Sequence, residues 1–253
     1  MTALEFGPAP GAAPPLHRVV RHGVLEVRLL ARNGEQLLLA LIIPLGVLIA
    51  GRMIGGRFAD LAILAPSVLA LAVWSSGFTS VAIATAFERR YGVLERLAAT
   101  PLRRSGLVMG KSLGVILIIL GQTVILAGVA VGLGWRPAFT VASALVAVSL
   151  VIMATAAFVC LGLLLAGRLR AEAVLGLANL IYVVLLAGGA LVIPLARYPA
   201  AVQPVIKGLP TAALGEGLRA AAAGQVLGWP LLVAAAWLGA AALAARQGFR
   251  WTA

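Results

Sequence analysis

Residues 138–166 read AFTVASALVAVSLVIMATAAFVCLGLLLA, a stretch that contains no Lys, Arg, Asp or Glu. The hydrocarbon core of a bilayer is about 30 Å thick, and an α-helix crosses it with roughly 20 predominantly apolar residues. This stretch is long enough to do so. It therefore predicts a membrane-spanning helix, and the rest of the chain is interpreted around it.

The composition of the whole chain points the same way. Of its 253 residues, 62% are hydrophobic and 11% are charged, and the mean hydropathy is +1.07. A typical soluble protein is about half apolar and a quarter charged, so a water-soluble fold could not bury this much apolar surface. The only cysteine, Cys160, lies inside the apolar stretch, which excludes a disulfide framework and predicts a small buried side chain.

The sequence predicts an all-α integral membrane protein with six transmembrane helices. The predicted spans are residues about 36–54, 61–84, 107–133, 138–166, 173–195 and 226–245. Residues 1–15 are expected to form a flexible cytoplasmic tail, and residues 16–253 a single transmembrane domain. Prolines break up residues 196–225, so this segment is predicted to be an extracellular re-entrant or surface hairpin before the last span, with a short helical pattern at 211–223.

A basic amphipathic helix is predicted ahead of the first span, from Leu16 to Gly34. Its apolar positions are Leu16, Val19, Val20, Val24, Val27, Leu30 and Ala31, and Arg18, Arg21, His22, Arg28 and Arg32 lie mostly opposite them. Such a pattern is typical of a helix that lies in the membrane interface. The alternative is a basic flank that only orients the first span.

The basic residues predict the orientation of the chain. Fourteen of the 20 Lys and Arg residues fall in the gaps that share a side with the two termini, so both termini should be cytoplasmic. The +12 net charge does not indicate nucleic-acid binding, because the basic residues lie between apolar spans and are not clustered with aromatic side chains.

Few residues could carry catalysis or ligate a metal. The sequence contains two His, eight Asp and Glu and one Cys, and it has no HExxH, GxSxG or GxxxxGK[ST] motif. We expect no enzyme activity, no bound cofactor and no metal, and any uphill transport would need energy from another chain. Proton-coupled transporters usually carry ionisable residues within their spans, and none of the acidic or histidine residues falls in the middle of a span here.

The densest charged segment is residues 87–104, FERRYGVLERLAATPLRR. On a helical wheel, Glu88 and Glu95 lie on one side, and Tyr91, Leu94 and Ala98 form an apolar stripe on the other. The Thr100-Pro101 pair should end the helix, because proline disfavours helical geometry in the residue before it. The pattern predicts an amphipathic helix on the cytoplasmic surface; the alternative is a solvated loop whose arginines only set topology.

This segment resembles the cytoplasmic loop signature of type-2 ABC exporter permeases, a family that includes drug, antibiotic and polysaccharide exporters. The matching residues are Glu88-Arg89, Gly92, Glu95, Leu97, Thr100-Pro101-Leu102 and Gly110-Lys111; Val93 stands where the family often has Thr or Ser. A second run, Leu209-Pro210-Thr211 followed by Glu216-Gly217-Leu218-Arg219, is similar to the short extracellular helices before the family's last span.

The resemblance implies a permease subunit whose loop carries a coupling helix that docks into a separate ABC ATPase. The residues implied in coupling are Glu88, Arg89, Tyr91, Gly92, Leu94, Glu95, Leu97, Thr100 and Pro101. The implied partners are two ATPase copies, which would bind ATP and Mg, a second permease that is identical or related, and the lipid of a bacterial plasma (inner) membrane. The implied activity is export of a lipophilic or amphiphilic substrate; a proton- or ion-coupled secondary transporter is the alternative, and a non-transporting scaffold or an intramembrane enzyme is disfavoured.

Polar residues inside the spans are candidates for the lining of a pathway. The candidates are Ser76, Thr79, Gln122, Asn179 and Tyr182. Ser and Thr can instead satisfy the backbone or pack helices closely, whereas Gln and Asn are costly in lipid and should face protein or a pathway. Gly128 and Gly132 have GxxxG spacing and could mark a helix contact.

Overall fold

The computed structural model describes Gly11 and residues 13–32, 34–54, 60–102 and 104–248. Across these residues all regular structure is helical and there is no strand. The helices are α1 (Pro15–Arg32), α2 (Gly34–Ile54), α3 (Leu61–Trp74), α4 (Val81–Arg90), α5 (Val93–Ala98), α6 (Arg104–Gly132), α7 (Val141–Ala166), α8 (Ala171–Gly188), α9 (Gln203–Lys207), α10 (Pro210–Ala222) and α11 (Gly228–Gly248). The predicted tail falls mostly outside the described residues.

Five helices in the described ranges are long and apolar enough to cross a membrane. They are Leu61–Arg90, Ser105–Gly132, Val141–Ala166, Ala171–Gly188 and Gly228–Gly248. The region of the first predicted span is helical in α2, where a shorter apolar segment covers Ala40–Ile54. The all-helical, multi-pass fold is therefore confirmed, and the sixth span stays a prediction.

The first of these five, Leu61–Arg90, joins α3 and α4 through a π-helical segment, Ser75–Ser80. Asp60 caps its start by accepting a hydrogen bond from the Ala62 amide at 2.9 Å. The helix runs beyond the predicted end at residue 84. These extra turns place Glu88, Arg89 and Arg90 at the end of the bundle instead of in a loop.

Helix α7, the charge-free stretch, lies at the centre of the bundle and packs against α4, α6, α10 and α11. It begins at Val141, not at residue 138, because Thr140 forms a reciprocal cap with Ser143. Phe158 is fully buried on α7, in edge-to-face contact with Trp74 at 4.8 Å between ring centroids. Cys160 is buried, as predicted.

The predicted fifth span, 173–195, ends early, because α8 stops at Gly188. The chain then continues without helical structure, and the Arg219 guanidinium accounts for this. It donates to the carbonyl oxygens of Ala190 and Leu191, both at 2.7 Å, so these groups are satisfied outside a helix.

The segment predicted as a hairpin, 196–225, contains the short helices α9 and α10. The predicted helical pattern at 211–223 is confirmed as α10, Pro210–Ala222, which is buried among α3, α7 and α11. A helix of 13 residues is about 20 Å long, less than the thickness of a bilayer core. That this segment does not cross the membrane remains a prediction.

The N-terminal amphipathic helix is α1, which packs along α6. The residues of α1 that face α6 and are buried are His22, Gly23 and Glu26, whereas Leu16 and Leu29 are 72% and 56% exposed. The apolar side of α1 is thus left open to lipid. The arginines of its predicted polar side are exposed as well, except for the half-buried Arg18, so only the narrow strip that contacts α6 lies in the protein interior.

Candidate functional site

One end of the bundle, which we name the basic end, is formed by α1, the last turn of α4, α5, the first turns of α6 and the turn between α7 and α8. Side chains tie these elements together. Arg89 donates to the Leu169 carbonyl oxygen at 2.6 Å, and Arg90 pairs with Glu172. Arg18 on α1 donates to the carbonyl oxygen of Pro101. The arginines of the predicted coupling segment therefore hold neighbouring helices in place.

The predicted coupling segment is not one continuous helix. Helix α4 ends at Arg90, Tyr91 and Gly92 form a turn, and α5 starts at Val93. Gly92 has φ = 70°, the left-handed conformation that glycine adopts at little cost, and this turn redirects the chain. The single helical wheel predicted from the sequence was wrong for this reason.

The turn separates the residues of the predicted apolar stripe. Tyr91 is 67% exposed, whereas Leu94 is fully buried in the protein's own hydrophobic core. Leu94 is therefore corrected from a docking residue to a core residue, because in this conformation a partner cannot reach it. Leu97 is partly buried against the same core.

The remaining residues predicted for coupling divide into two groups. Glu88 and Arg89 turn inward, where Glu88 contacts Lys111 and Arg89 contacts the Leu169 carbonyl oxygen, and Gly92 forms the turn. Tyr91, Glu95, Thr100 and Pro101 are exposed. The exposed group forms the outer surface of the basic end, where a partner could bind.

A buried charge cluster lies beneath this surface. Lys111 on α6 is 4% exposed, and its Nζ lies 3.0 Å from Glu88 Oε1 on α4 and 3.1 Å from Glu26 Oε1 on α1. A buried charge without a partner is strongly destabilising, so each of these groups needs the others. The cluster fastens three helices together at the basic end.

His22 borders the cluster. Its Nε2 lies 3.5 Å from Glu26 Oε1 and makes no hydrogen bond within the described part of the chain. Burial lowers the pKa of His22 below its ordinary value; the Glu26 carboxylate opposes this shift and the Lys111 ammonium adds to it. The imidazole is therefore neutral at neutral pH.

Glycines on α6 make this close packing possible. A Cβ atom at Gly110 would lie 3.0 Å from His22 Cβ, and one at Gly114 would lie 2.7 Å from Glu26 Cβ. Gly110 and Gly114 have the GxxxG spacing that lets two helices approach closely. The pair predicted as a helix contact, Gly128 and Gly132, differs: a Cβ added at either position would meet no atom of the described residues within 4 Å.

A cavity of about 340 Å³ opens beside the cluster. Glu26, Glu88 and Lys111 form its charged side, and Phe87 and Tyr91 contribute aromatic rings. The other residues that line it are Leu29, Leu30, Ala40, Ser76, Ser80, Val81, Ala84, Val93, Val115, Ile118 and Ile119. It is a mostly apolar space with charged groups confined to one side.

The predicted pathway residues lie near this cavity, in two groups. Ser76 donates to Gln122 Oε1 at 3.1 Å, and Gln122 Nε2 donates to the Ala40 carbonyl oxygen at 2.5 Å. Thr79, Asn179 and Tyr182 line a second cavity, of about 160 Å³, which also includes Ala40. Gln122 faces protein as expected.

At the opposite end of the bundle, the second sequence run forms a polar contact. Arg219 on α10 donates to Glu216 Oε1 at 2.7 Å and to Ser67 Oγ on α3 at 2.9 Å. Glu216 in turn accepts a hydrogen bond from the Leu195 amide at 2.7 Å. These residues hold α3, α10 and the segment after α8 together.

Two residues of the charge cluster were not predicted as functional. Lys111 belongs to the loop signature but is not among the residues implied in coupling, and no sequence pattern singled out Glu26. A signal for both was available, because Lys111 is the only charged residue of the long apolar helix α6 after Arg104 at its start, and Glu26 is the only acidic residue in α1. Glycines beside Lys111 also indicated a close helix contact.

The fold and the basic end define an all-helical, multi-pass membrane protein with a short exposed helix anchored to several spans. Residues 56–245 match the family model described as ABC-2 family transporter protein, so the chain belongs to the ABC-2 transporter family. The resemblance predicted from the loop is thereby confirmed. The match includes the predicted coupling segment and nearly all of the five span-length helices. A comparison with curated proteins gave no significant match.

Proposed function

We propose that this chain is the permease subunit of an ATP-driven exporter, powered by a separate ATPase subunit. The observation that carries the proposal is the family match, which covers most of the chain and includes the exposed helix α5. The sequence has no GxxxxGK[ST] motif, so ATP and Mg would be bound by the partner. Two ATPase copies and a second permease, identical or related, would complete the transporter.

The attachment of α5 supports a role in coupling. Its exposed side carries Glu95 and Arg96, and the residues on either side of it are fixed by contacts. Arg89 binds the turn before α8, Glu88 binds Lys111 on α6, and Pro101 accepts from Arg18 on α1. A force that an ATPase applies to α5 would therefore move several helices together.

The proposed location is a bacterial plasma membrane, with both termini in the cytoplasm. The distribution of basic residues supports this orientation, and α1 and α5, both expected on the cytoplasmic side, lie at the same end of the bundle. The exposed apolar side chains of α1 would contact lipid at that surface.

The proposed substrate is lipophilic or amphiphilic, because the cavities near the predicted pathway residues have mostly apolar walls. Ser76, Thr79, Gln122, Asn179 and Tyr182 are proposed to line the pathway. Hydroxyl and amide groups in these positions can exchange hydrogen bonds with a passing polar group at low cost.

A charge reversal on the exposed side of α5 tests the proposal. The permease and the ATPase that co-purifies with it are reconstituted in proteoliposomes, and ATP-dependent export of a lipophilic dye is measured. We expect Glu95→Arg to weaken ATPase association and to abolish export. Arg136→Glu, which reverses the charge of another exposed residue, beyond the far end of α6, should change neither.

The coupling role would be contradicted if ATPase association and export were both retained in each of three variants, Glu95→Arg, Arg96→Glu and Tyr91→Asp. Leu94→Asp is unsuitable for this test, because Leu94 is buried and its replacement would damage the permease itself. The secondary-transporter alternative is tested in the same vesicles. Flux that follows an imposed proton gradient without any ATPase would overturn the proposed function.

A further inference from the structure

We propose that the 340 Å³ cavity at the basic end binds an amphiphilic monovalent cation, with its charged group beside Glu88 and Glu26 and its apolar body against the opposite wall. This inference rests on the proposed function, because it names the class of substrate that the exporter would accept.

The charge balance of the cavity favours a cation. When Glu26 and Glu88 are both ionised, two carboxylates face a single ammonium group, Lys111, and one net negative charge remains among the residues that line the cavity. His22 does not alter this balance, because its imidazole is neutral at neutral pH. A bound monovalent cation would neutralise the site.

The basic groups that the structure describes at the cavity are already engaged and offer little to an anion. The Lys111 ammonium has three donors, and it lies within 3.2 Å of both Glu26 oxygens and 3.0 Å from Glu88. The two arginines that follow Glu88 are directed elsewhere, since Arg89 binds the Leu169 carbonyl and Arg90 pairs with Glu172. A phosphate or carboxylate ligand would have to break the existing pairs, so an anionic lipid headgroup fits poorly.

The other walls suit the body of such a ligand. The rings of Phe87 and Tyr91 lie 6.1 Å apart between centroids, and both line the cavity. Aromatic faces attract cations, more strongly where water is excluded. Aliphatic side chains form most of the remaining wall, and the volume falls within the range for sites that hold drug-sized molecules.

The cavity can be reached from the membrane interface. Leu29 on α1 and Tyr91 in the turn before α5 both line it, and they are 56% and 67% exposed. Under the proposed orientation, this opening lies where α1 rests on the cytoplasmic surface. An amphiphile inserted in that leaflet, with its charged group at the interface, would meet the acidic side of the cavity.

Two probes of equal shape and opposite charge test the inference. Binding of tetraphenylphosphonium and of tetraphenylborate is measured on the purified full-length chain in a neutral detergent, without ATP or a partner. We expect the cation to bind at least about tenfold more tightly than the anion. Glu88→Gln should weaken cation binding by about tenfold, because it removes the net negative charge.

Glu172→Gln is the matched control, since it makes the same chemical change at an exposed carboxylate outside the cavity and should leave binding unchanged. Tyr91→Ala is a second test that does not depend on the buried cluster, because Tyr91 is largely exposed. We expect it to weaken cation binding by about threefold. Unfolding temperatures of all variants verify that each is folded.

The inference would be overturned if the two probes bound equally tightly. It would also be overturned if cation binding were unchanged in both Glu88→Gln and Tyr91→Ala. Its failure can be distinguished from failure of the proposed function. ATP-driven export of other lipophilic compounds without cation-selective binding would refute only the inference. If the unmodified chain binds the cation selectively, Glu88→Gln abolishes that binding, and vesicles show no ATP-driven flux, then only the export mechanism is refuted.

Discussion

At the scale of single residues, Lys111 connects the fold to the candidate site. It is nine-tenths buried or more in an otherwise apolar helix and pairs with carboxylates from two other helices. Removing one partner of a buried ion pair leaves the other charge uncompensated. The cluster therefore explains why α1, α4 and α6 meet where they do.

We predict that Lys111→Met lowers the free energy of unfolding by roughly 3–5 kcal/mol, because the buried Glu26 carboxylate and the partly buried Glu88 carboxylate lose their partner. Arg90→Met is the control: its pair with Glu172 is exposed, and exposed pairs contribute at most about 1 kcal/mol. Denaturant unfolding in detergent, followed by tryptophan fluorescence, measures both variants. Losses of equal size would show that the cluster does not stabilise the fold.

The lowered pKa of His22 predicts a dependence of stability on pH. Because the pKa in the folded state lies below that in the unfolded state, protonation favours unfolding, and stability should fall as pH drops through the ordinary value near 6.5. The groups that face the imidazole are Glu26 on its own helix and Lys111 on α6, with Glu88 on α4 bound to the same ammonium.

We expect His22→Gln to flatten the decrease in unfolding temperature between pH 7.5 and about pH 5.5. His17→Gln, a change at an exposed histidine on the same helix, should leave that decrease intact. Thermal unfolding at a series of pH values measures the effect. If the unfolding temperature of His22→Gln fell with pH as it does in the unmodified chain, the pH dependence would belong to other groups.

At the scale of elements, the contact of α1 with α6 depends on glycine. We predict that Gly114→Ala destabilises the protein by about 1–3 kcal/mol, because the added Cβ would lie 2.7 Å from Glu26 Cβ and 3.0 Å from the Gly23 carbonyl oxygen. Gly128→Ala makes the same change on the same helix where no atom of the described residues lies within 4 Å, and it should not destabilise.

Limited proteolysis locates the damage. Loosening of α1 in Gly114→Ala should increase trypsin cleavage at Arg21 and Arg28, whereas Gly128→Ala should be cleaved like the unmodified chain. Equal cleavage in the two variants would mean that α1 does not depend on this close approach.

At the scale of the whole molecule, topology is the main prediction. Cysteines introduced at Val205 and Gln225, which lie toward the far end of the bundle, should react with a membrane-impermeant maleimide in intact cells, and one at Arg96 should not. Cys160 is buried and should contribute little background. Labelling at Arg96, or at only one of the far-end positions, would require a different topology.

The sequence by itself determined the class of protein and the approximate positions of its long apolar helices, because charge-free stretches of spanning length have few alternatives to a membrane helix. It also located the segment 87–102, the short helix α10 and the burial of Cys160. These features depend on local composition and on the motifs of neighbouring residues. The family match to residues 56–245 agrees with that local evidence.

Tertiary structure alone decided which polar residues act together. Glu26, Glu88 and Lys111 are far apart in the sequence, and helical periodicity cannot show that three helices bring them within 3.2 Å. Likewise, the turn at Gly92 placed Leu94 in the core while Tyr91 stayed exposed, against the predicted shared stripe. The physical reason is that a helical wheel fixes directions only within one unbroken helix, whereas burial depends on the neighbours that pack around it.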